Sequence, residues 1–164
     1  MVRVLGIDPG SRNTGLGVVE VSNGALVCLG YQCIKMGNDP LPVRLGKIYQ
    51  DVEKVIQSFK PDFAAVEQVF VSNNYKSALI LGQARGSAVC SAVNTNIPVV
   101  EYSALQIKKA VVGTGGAKKE QVQHMVRVLL GLRTSPTADE ADALACAICH
   151  IHTAQVEKRF INAH

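Results

Sequence analysis

Hydrophobic positions at the start of the chain follow the pattern of β-strands joined by tight turns. The apolar run of residues 2–7 predicts a strand with at least one buried face. Pro9 and Gly10 end this strand, because proline has no N–H to donate and glycine permits positive φ. Residues 15–21 and 25–36 have the same character, so the three segments together predict an antiparallel meander.

The rest of the chain alternates between helical and extended patterns. Helices are predicted at residues 45–59, 75–93, 103–111, 118–130 and 138–152, strands at 63–70 and 98–102, and a loop at 37–42. The strand at 63–70 is apolar enough to be buried on both faces, as in a sheet covered by helices. This order of elements predicts an α/β domain.

Four acidic residues lie within or directly after these core segments. Asp8 ends the first strand and Glu67 interrupts the strand at 63–70. Asp139 and Asp142 lie three apart at the start of the last helix and therefore share one helix face. Burying an unpaired carboxylate costs roughly several kcal/mol, and neighbouring carboxylates repel unless a cation lies between them. Carboxylate ligands alone favour Mg²⁺ or Mn²⁺ over zinc.

Each acid taken alone also has a structural explanation. Asp8 could be a turn residue that ends its strand, and Glu67 could be an edge-strand charge that discourages aggregation. Asp139 and Asp142 could complement the positive end of the helix dipole. The hypothesis of a metal site therefore depends on the four acids together.

Composition narrows the class of protein. With 164 residues, 48% of them hydrophobic and 18% charged, the chain predicts one ordered globular domain. A net charge of +4 around an acidic pocket suits a polyanionic substrate, although many metabolic enzymes have a similar charge. Five irregularly spaced cysteines predict no disulfide framework, and no long apolar run predicts a membrane span. These features predict a cytoplasmic protein.

Five motifs occur together in a characteristic order and spacing. They are Gly6-Ile7-Asp8-Pro9-Gly10-Ser11, Glu67-Gln68-Val69-Phe70, Leu81-Gly82-Gln83-Ala84-Arg85-Gly86, Val122-Gln123-His124-Met125-Val126 and Ala138-Asp139-Glu140-Ala141-Asp142-Ala143-Leu144. On these motifs the chain resembles the RuvC family of Holliday junction resolvases. The resemblance implies a ribonuclease H-like fold, with a mixed five-stranded sheet flanked by helices. It covers a nuclease domain at residues 1–154 and leaves residues 155–164 as a tail without an assigned role.

The resemblance also implies an activity and a catalytic site. The activity is paired, metal-dependent hydrolysis of two opposed strands of a four-way DNA junction, in recombination and repair, leaving 5′-phosphate and 3′-hydroxyl ends. The family's four catalytic carboxylates fall on Asp8, Glu67, Asp139 and Asp142. These residues would bind two Mg²⁺ ions, or Mn²⁺ in their place.

Basic and aromatic positions of the family also map onto this chain. Its basic catalytic residues fall on Lys108 and Lys119, and its base-contacting aromatic residue falls on Phe70. The candidates for DNA contact are Phe70, Asn73, Asn74, Arg12, Lys118, Lys119 and Lys108. Exposed helix faces would explain the lysines equally well, and a core position would explain Phe70. Lysines beside a helix N-terminus are electrostatically unfavourable, however, which favours a functional role for Lys119.

Partners and competing functions complete the set of expectations. Paired cuts imply a homodimer, with the helix at 75–93 as a candidate interface, and the resemblance implies the branch-migration proteins RuvA and RuvB as partners. A nuclease of the same fold with another nucleic-acid substrate is the main alternative. The glycine-containing turn after Asp8 also resembles the phosphate loop of actin and sugar-kinase ATPases, but a second such loop is absent from the sequence. A catalytically silent DNA-binding module would have lost some of the acids, and all four are present.

Overall fold

The computed structural model describes residues 1–68 and 74–161 of the chain. Its strands are β1 (Val2–Asp8), β2 (Asn13–Ser22), β3 (Ala25–Lys35), β4 (Phe63–Glu67) and β5 (Val99–Tyr102). Its helices are α1 (Leu41–Phe59), α2 (Tyr75–Asn94), α3 (Ala104–Val112), α4 (Lys119–Leu129) and α5 (Ala138–Ile161). No helix in this described part is long and apolar enough to cross a membrane.

The strands form one mixed sheet in the order β3-β2-β1-β4-β5. The predicted meander is confirmed, because β1 pairs with β2 and β2 pairs with β3 in antiparallel fashion. β4 lies between β1 and β5 and is parallel to both. Glu67 therefore belongs to an interior strand, and its interpretation as an edge-strand charge is wrong.

Both faces of the sheet are covered, which explains the almost continuous apolar character of its central strands. Neighbouring residues of β1 point to opposite sides, because strand side chains alternate between faces. Leu5 packs in a core with Ile48 of α1 and Ala84 of α2, and Val4 packs with Ile148 of α5 in the second core. The predicted burial of the strand at 63–70 is confirmed for the core of β4, where Ala64, Ala65 and Val66 are fully buried.

Three element boundaries differ from the sequence predictions. α1 begins at Leu41, within the predicted loop at 37–42, because a proline is tolerated in the first turn, where its missing N–H would have no helical partner. α5 continues to Ile161 rather than ending near His152, since no glycine or proline follows in that segment to break the helix. β4 ends at Glu67, so this residue terminates its strand instead of interrupting it.

Two glycines, Gly6 and Gly15, allow the main chain of α5 to lie directly on the sheet. Gly6 pairs with Gly17 across β1 and β2, and Gly15 pairs with Asp8. A Cβ atom on Gly15 would collide with the main-chain oxygen of Asp139, and one on Gly6 would collide with that of Ala143. Since main-chain atoms at such a contact cannot rotate away, these glycines set the distance between α5 and the end of β1.

Replacing Gly15 with alanine should therefore lower both stability and activity. We expect a loss of about 1–3 kcal/mol in the free energy of unfolding, which is typical of overpacking in a dense core. The junction cleavage that the family resemblance implies should fall as well, because the first turn of α5 must move away from Asp8. Chemical denaturation and a cleavage assay would measure the two effects.

Gly46 of α1 is the matched control, because a Cβ atom there meets nothing within 4 Å. Gly46→Ala should be neutral or stabilising by up to about 1 kcal/mol, since alanine is the better helix former. Equal behaviour of the two alanine variants would contradict the proposed role of Gly15.

Candidate active site

Two of the predicted acids end neighbouring parallel strands at the same end of the sheet. Ile7 of β1 lies beside Val66 of β4 in the sheet register, so Asp8 and Glu67 follow on adjacent strands. Both carboxylates are only partly exposed. The interior position of these strands places both acids where the sheet ends beneath α5.

The other two acids lie in the first turns of α5. A capping box begins this helix: the Thr137 N–H donates to Glu140 Oε2 at 2.8 Å, and the Glu140 N–H donates to Thr137 Oγ1 at 3.4 Å. Capping therefore uses Glu140 rather than either predicted acid. Asp142 lies beyond the first turn, where the helix dipole contributes little, so the dipole does not account for it.

Asp8 has a strongly perturbed acidity. Burial is the largest cause, and the negative charges of Asp142, Glu67 and Asp139 add to it, so the pKa of Asp8 rises from 3.8 to about 8. The Lys119 ammonium lowers the pKa of Asp8 but only partly offsets these effects. Without a cation, the fold therefore disfavours the charged form of this carboxyl group.

Glu67 belongs to the same electrostatic cluster. Burial raises its pKa, and the Asp142 carboxylate raises it further. The Lys119 and Lys108 ammonium groups act in the opposite direction and lower the pKa of Glu67. The two lysines that the sequence singled out as catalytic candidates are therefore both close enough to influence this acid.

Lys119 connects the N-terminus of α4 to α5. Its Nζ lies 2.7 Å from Asp142 Oδ2, and this hydrogen bond is the main reason why the pKa of Lys119 is raised. An open pocket beside the pair is also lined by Glu67 and Lys108. Acidic and basic groups thus face one cavity, as a site for a phosphate ester and a cation requires.

The donor chemistry of this cluster fits a hard divalent cation, because all four acids offer only carboxylate oxygens. No three Asp, Glu, His or Cys side chains among those described, in residues 1–68 and 74–155, form a group that could hold a metal ion as it stands. Asp142 pairs with Lys119 instead, and the Cys33 thiol lies 3.8 Å from Asp139 Oδ2. The carboxylates would have to exchange these partners for a cation, which would also relieve their mutual repulsion.

Other candidates for DNA contact lie around the cluster or outside the described part of the chain. Arg12 is exposed and its Nη1 donates to Asn38 Oδ1 at 3.3 Å, and Lys118 is exposed at the N-cap of α4. Asn74 is the N-cap of α2, and its side-chain oxygen accepts the Ser77 N–H at 3.1 Å. The predictions for Phe70 and Asn73 fall on residues outside those described.

Two arginines for which no role was predicted lie next to the site. Arg44 of α1 donates from Nη1 to the Ser11 carbonyl at 2.7 Å and so supports the turn that follows Asp8. Arg85 of α2 approaches the main chain of Glu67. Because Arg85 belongs to one of the five motifs, the sequence did mark it as a candidate. Its contacts could not be predicted, because its partners are distant in the sequence.

The chain is similar to known proteins in both sequence and structure. The family model for crossover junction endodeoxyribonuclease RuvC matches residues 4–150. A protein of that name from Aeromonas hydrophila is 58% identical over 153 residues, covering 93% of this chain and 88% of the relative. The structure of Thermus thermophilus RuvC superposes with a TM-score of 0.87 at 36% identity, covering 95% of this chain and 97% of that one.

A second structure of the Thermus thermophilus protein, in complex with a Holliday junction substrate, has a TM-score of 0.86 at 35% identity. It covers 95% of this chain and 96% of the other chain. Sequence and backbone are thus similar to the same group of proteins over nearly the whole chain.

Proposed function

This chain belongs to the RuvC family of crossover junction endodeoxyribonucleases, and from that premise we propose that it resolves Holliday junctions with the carboxylate cluster described above. Its fold is the ribonuclease H-like fold of that family. The observation that carries the proposal is the cluster itself: Asp142, Glu67 and Asp139 all act on buried Asp8, whose pKa rises to about 8. These are the four positions that the family resemblance singled out.

We propose Asp8, Glu67, Asp139 and Asp142 as the ligands of divalent cations, with Mg²⁺ as the working ion. A cation bound there would polarise the scissile phosphate and supply a nucleophilic hydroxide at neutral pH. The strand ends keep Asp8 and Glu67 in fixed positions, while α5 presents the other two acids from above.

The basic residues complete the proposed site. Lys119 lies next to Asp142 and would offset the negative charge that builds up on the phosphate oxygens during hydrolysis. Lys108 lines the same pocket and would bind the neighbouring phosphate. Further DNA contacts are proposed for Phe70, Asn73, Asn74, Arg12 and Lys118.

The products and partners follow from the same proposal. Cleavage would leave 5′-phosphate and 3′-hydroxyl ends, and RuvA and RuvB would deliver the junction. Residues 1–154 would suffice for the nuclease activity, although α5 continues beyond Ala154 to Ile161.

A direct assay tests the proposed activity. The protein is incubated with Mg²⁺ and either a synthetic four-way junction or a linear duplex of the same sequence, and the cuts are mapped on each strand. We expect paired cuts in opposed strands of the junction and none in the duplex. Equal cutting of both substrates would instead favour the alternative of a nuclease with another nucleic-acid substrate.

We also propose that two chains associate through α2, because one active site cannot cut two opposed strands at once. The exposed side of this helix is unusually apolar for a protein surface, with Tyr75 77%, Leu79 69% and Val93 57% exposed. Added Cβ atoms on Gly82 and Gly86 would meet nothing within 4 Å, so another helix could approach closely there. A two-fold axis would place the same surface of both chains in contact.

Leu79→Asp should disrupt this dimer, because it would bury an unpaired charge in the interface. We expect at least about a tenfold increase in the dissociation constant, measured by sedimentation, with a parallel loss of paired cuts. Val43→Asp on α1 is the matched control, since Val43 is 55% exposed and lies on another helix. A wild-type protein that stays monomeric at micromolar concentration, free and on the junction, would refute the proposed dimer.

A further inference from the structure

Arg85 makes two contacts that bring α2 to the end of the strand bearing Glu67. Its Nη2 lies 2.7 Å from Glu101 Oε1 on β5, and its Nε donates to the Glu67 carbonyl at 3.4 Å. The Arg85 side chain is only 22% exposed, whereas that of Glu101 is 44% exposed. Arg85 therefore lies where α2, β4 and β5 meet.

The contact between Arg85 and the Glu67 carbonyl lies at a position where it can do more than stabilise the fold. Val66 of β4 lies beside Glu101 of β5, and beyond it the Gln68 N–H donates to the Tyr102 carbonyl at 2.8 Å. The Glu67 carbonyl lies between these two points, where β4 ends. Arg85 binds the main chain of the acid itself, while Glu101 keeps the guanidinium group in place.

We infer that Arg85 is a positioning residue that fixes the main chain of Glu67 and, through it, the direction of the Glu67 carboxylate. This inference rests on the proposed function of Glu67 as a cation ligand. The guanidinium group suits this task because its donors have a fixed planar arrangement that can bind a carboxylate and a carbonyl together. A lysine would offer a single flexible ammonium group instead.

Arg85 would also link the proposed dimer interface to the cation site. Arg85 comes from the same helix whose exposed side we propose as the interface. A shift of α2 in the interface would therefore reach Glu67 through one side chain. The cation site of each chain would then depend on correct pairing with the other chain.

Mn²⁺ binding to the protein without DNA tests the role of Arg85, with free Mn²⁺ measured by electron paramagnetic resonance. Arg85→Met should weaken Mn²⁺ binding by about tenfold or more, as is typical when a group that orients a ligand is lost. Junction cleavage by this variant should recover toward the wild-type rate at high Mn²⁺ concentration. Lys54→Met is the matched control, since Lys54 forms an ion pair of 2.9 Å with Asp51 on α1.

Glu101→Gln provides the second arm, because it keeps Arg85 but removes its charged partner. We expect a smaller loss of Mn²⁺ affinity, and a double variant with Arg85→Met that is no weaker than Arg85→Met alone. The inference is overturned if Arg85→Met lowers only the unfolding temperature and binds Mn²⁺ like Lys54→Met, or if the two losses multiply. Asp8→Asn in the same titration tests the proposed cation site itself, so a failure of that proposal is seen separately.

Discussion

Replacing Asp8 with asparagine should abolish junction cleavage while leaving junction binding intact. Asp8 interacts with the other three acids, and burial together with their charges raises the pKa of Asp8 to about 8. Asparagine keeps the shape of the side chain but removes the charge that would bind a cation. We expect a fall in the single-turnover rate of roughly 10³–10⁴-fold, which is the scale of losing a catalytic carboxylate in other enzymes.

Binding should be measured separately, by fluorescence anisotropy of a labelled junction without divalent cations. It depends mainly on surface lysines and arginines, so removing one acid should not weaken it. Asp51→Asn on α1 is a suitable control, because Asp51 forms an ion pair with nearby Lys54 and does not belong to the acidic cluster. Substantial Mg²⁺-dependent cutting by Asp8→Asn would refute the assignment of Asp8 as a cation ligand.

Although Asp8→Asn should abolish cleavage, it should stabilise the metal-free protein against unfolding. The pKa of Asp8 is about 8 in the folded state against an ordinary value of 3.8, so the folded state binds this proton more tightly than the unfolded chain. The stabilisation from that proton is complete below about pH 4 and is lost as the pH rises through 8. Asp8→Asn should therefore gain stability relative to wild type as the pH rises from about 4 to about 8, as measured by chemical denaturation in EDTA.

Lys119→Ala is expected to slow cleavage far more than it weakens binding. The Lys119 ammonium lies 2.7 Å from Asp142, beside the proposed phosphate position, so it acts on charge that grows in the transition state. Loss of one preorganised group of this kind typically costs about 10²–10³-fold in rate. The single-turnover rate at saturating protein would measure this loss directly, and a titration of the junction would measure affinity.

Lys109 offers a matched control for that substitution. It is exposed near the end of α3 and neighbours Lys108 in the sequence, but it does not line the pocket. Lys109→Ala should therefore reduce affinity slightly and leave the rate of the bound complex unchanged. If Lys119→Ala lowered affinity and rate in equal proportion, its role would be limited to binding DNA.

Much of the fold could be predicted from local pattern alone. Alternating and continuous apolar runs identified β1 to β3. The helix predicted at residues 103–111 is confirmed as α3, whose N-cap Ser103 forms a capping box with Gln106. The start of α1 and the C-terminal end of α5 were missed, because no strong local signal marks either boundary. Proline is compatible with both a loop and a first helical turn, and polar residues after His152 are compatible with both a helix and a tail.

The candidate site was predictable in its residue types but not in its contacts. A carboxylate in an apolar strand is costly to bury, so Asp8 and Glu67 could be identified without a structure. The pairing of Lys119 with Asp142, and that of Arg85 with Glu101, joins residues on separate elements, and no periodicity encodes such a pairing. Glycines within strands are a signal of close backbone approach, and this signal could have predicted the contact of α5 with Gly6 and Gly15.

The contact between the α5 main chain and the strand glycines makes the position of the acids at the start of α5 independent of how the hydrophobic core is packed. A helix that rests on side chains shifts when those side chains change, but here main-chain atoms set the distance from Gly15 to Asp139. Substitutions at Ile148 or Val126 can therefore alter the stability of the second core without moving the acids at the start of α5. The packing of this core can then change while the geometry of the proposed cation site stays the same.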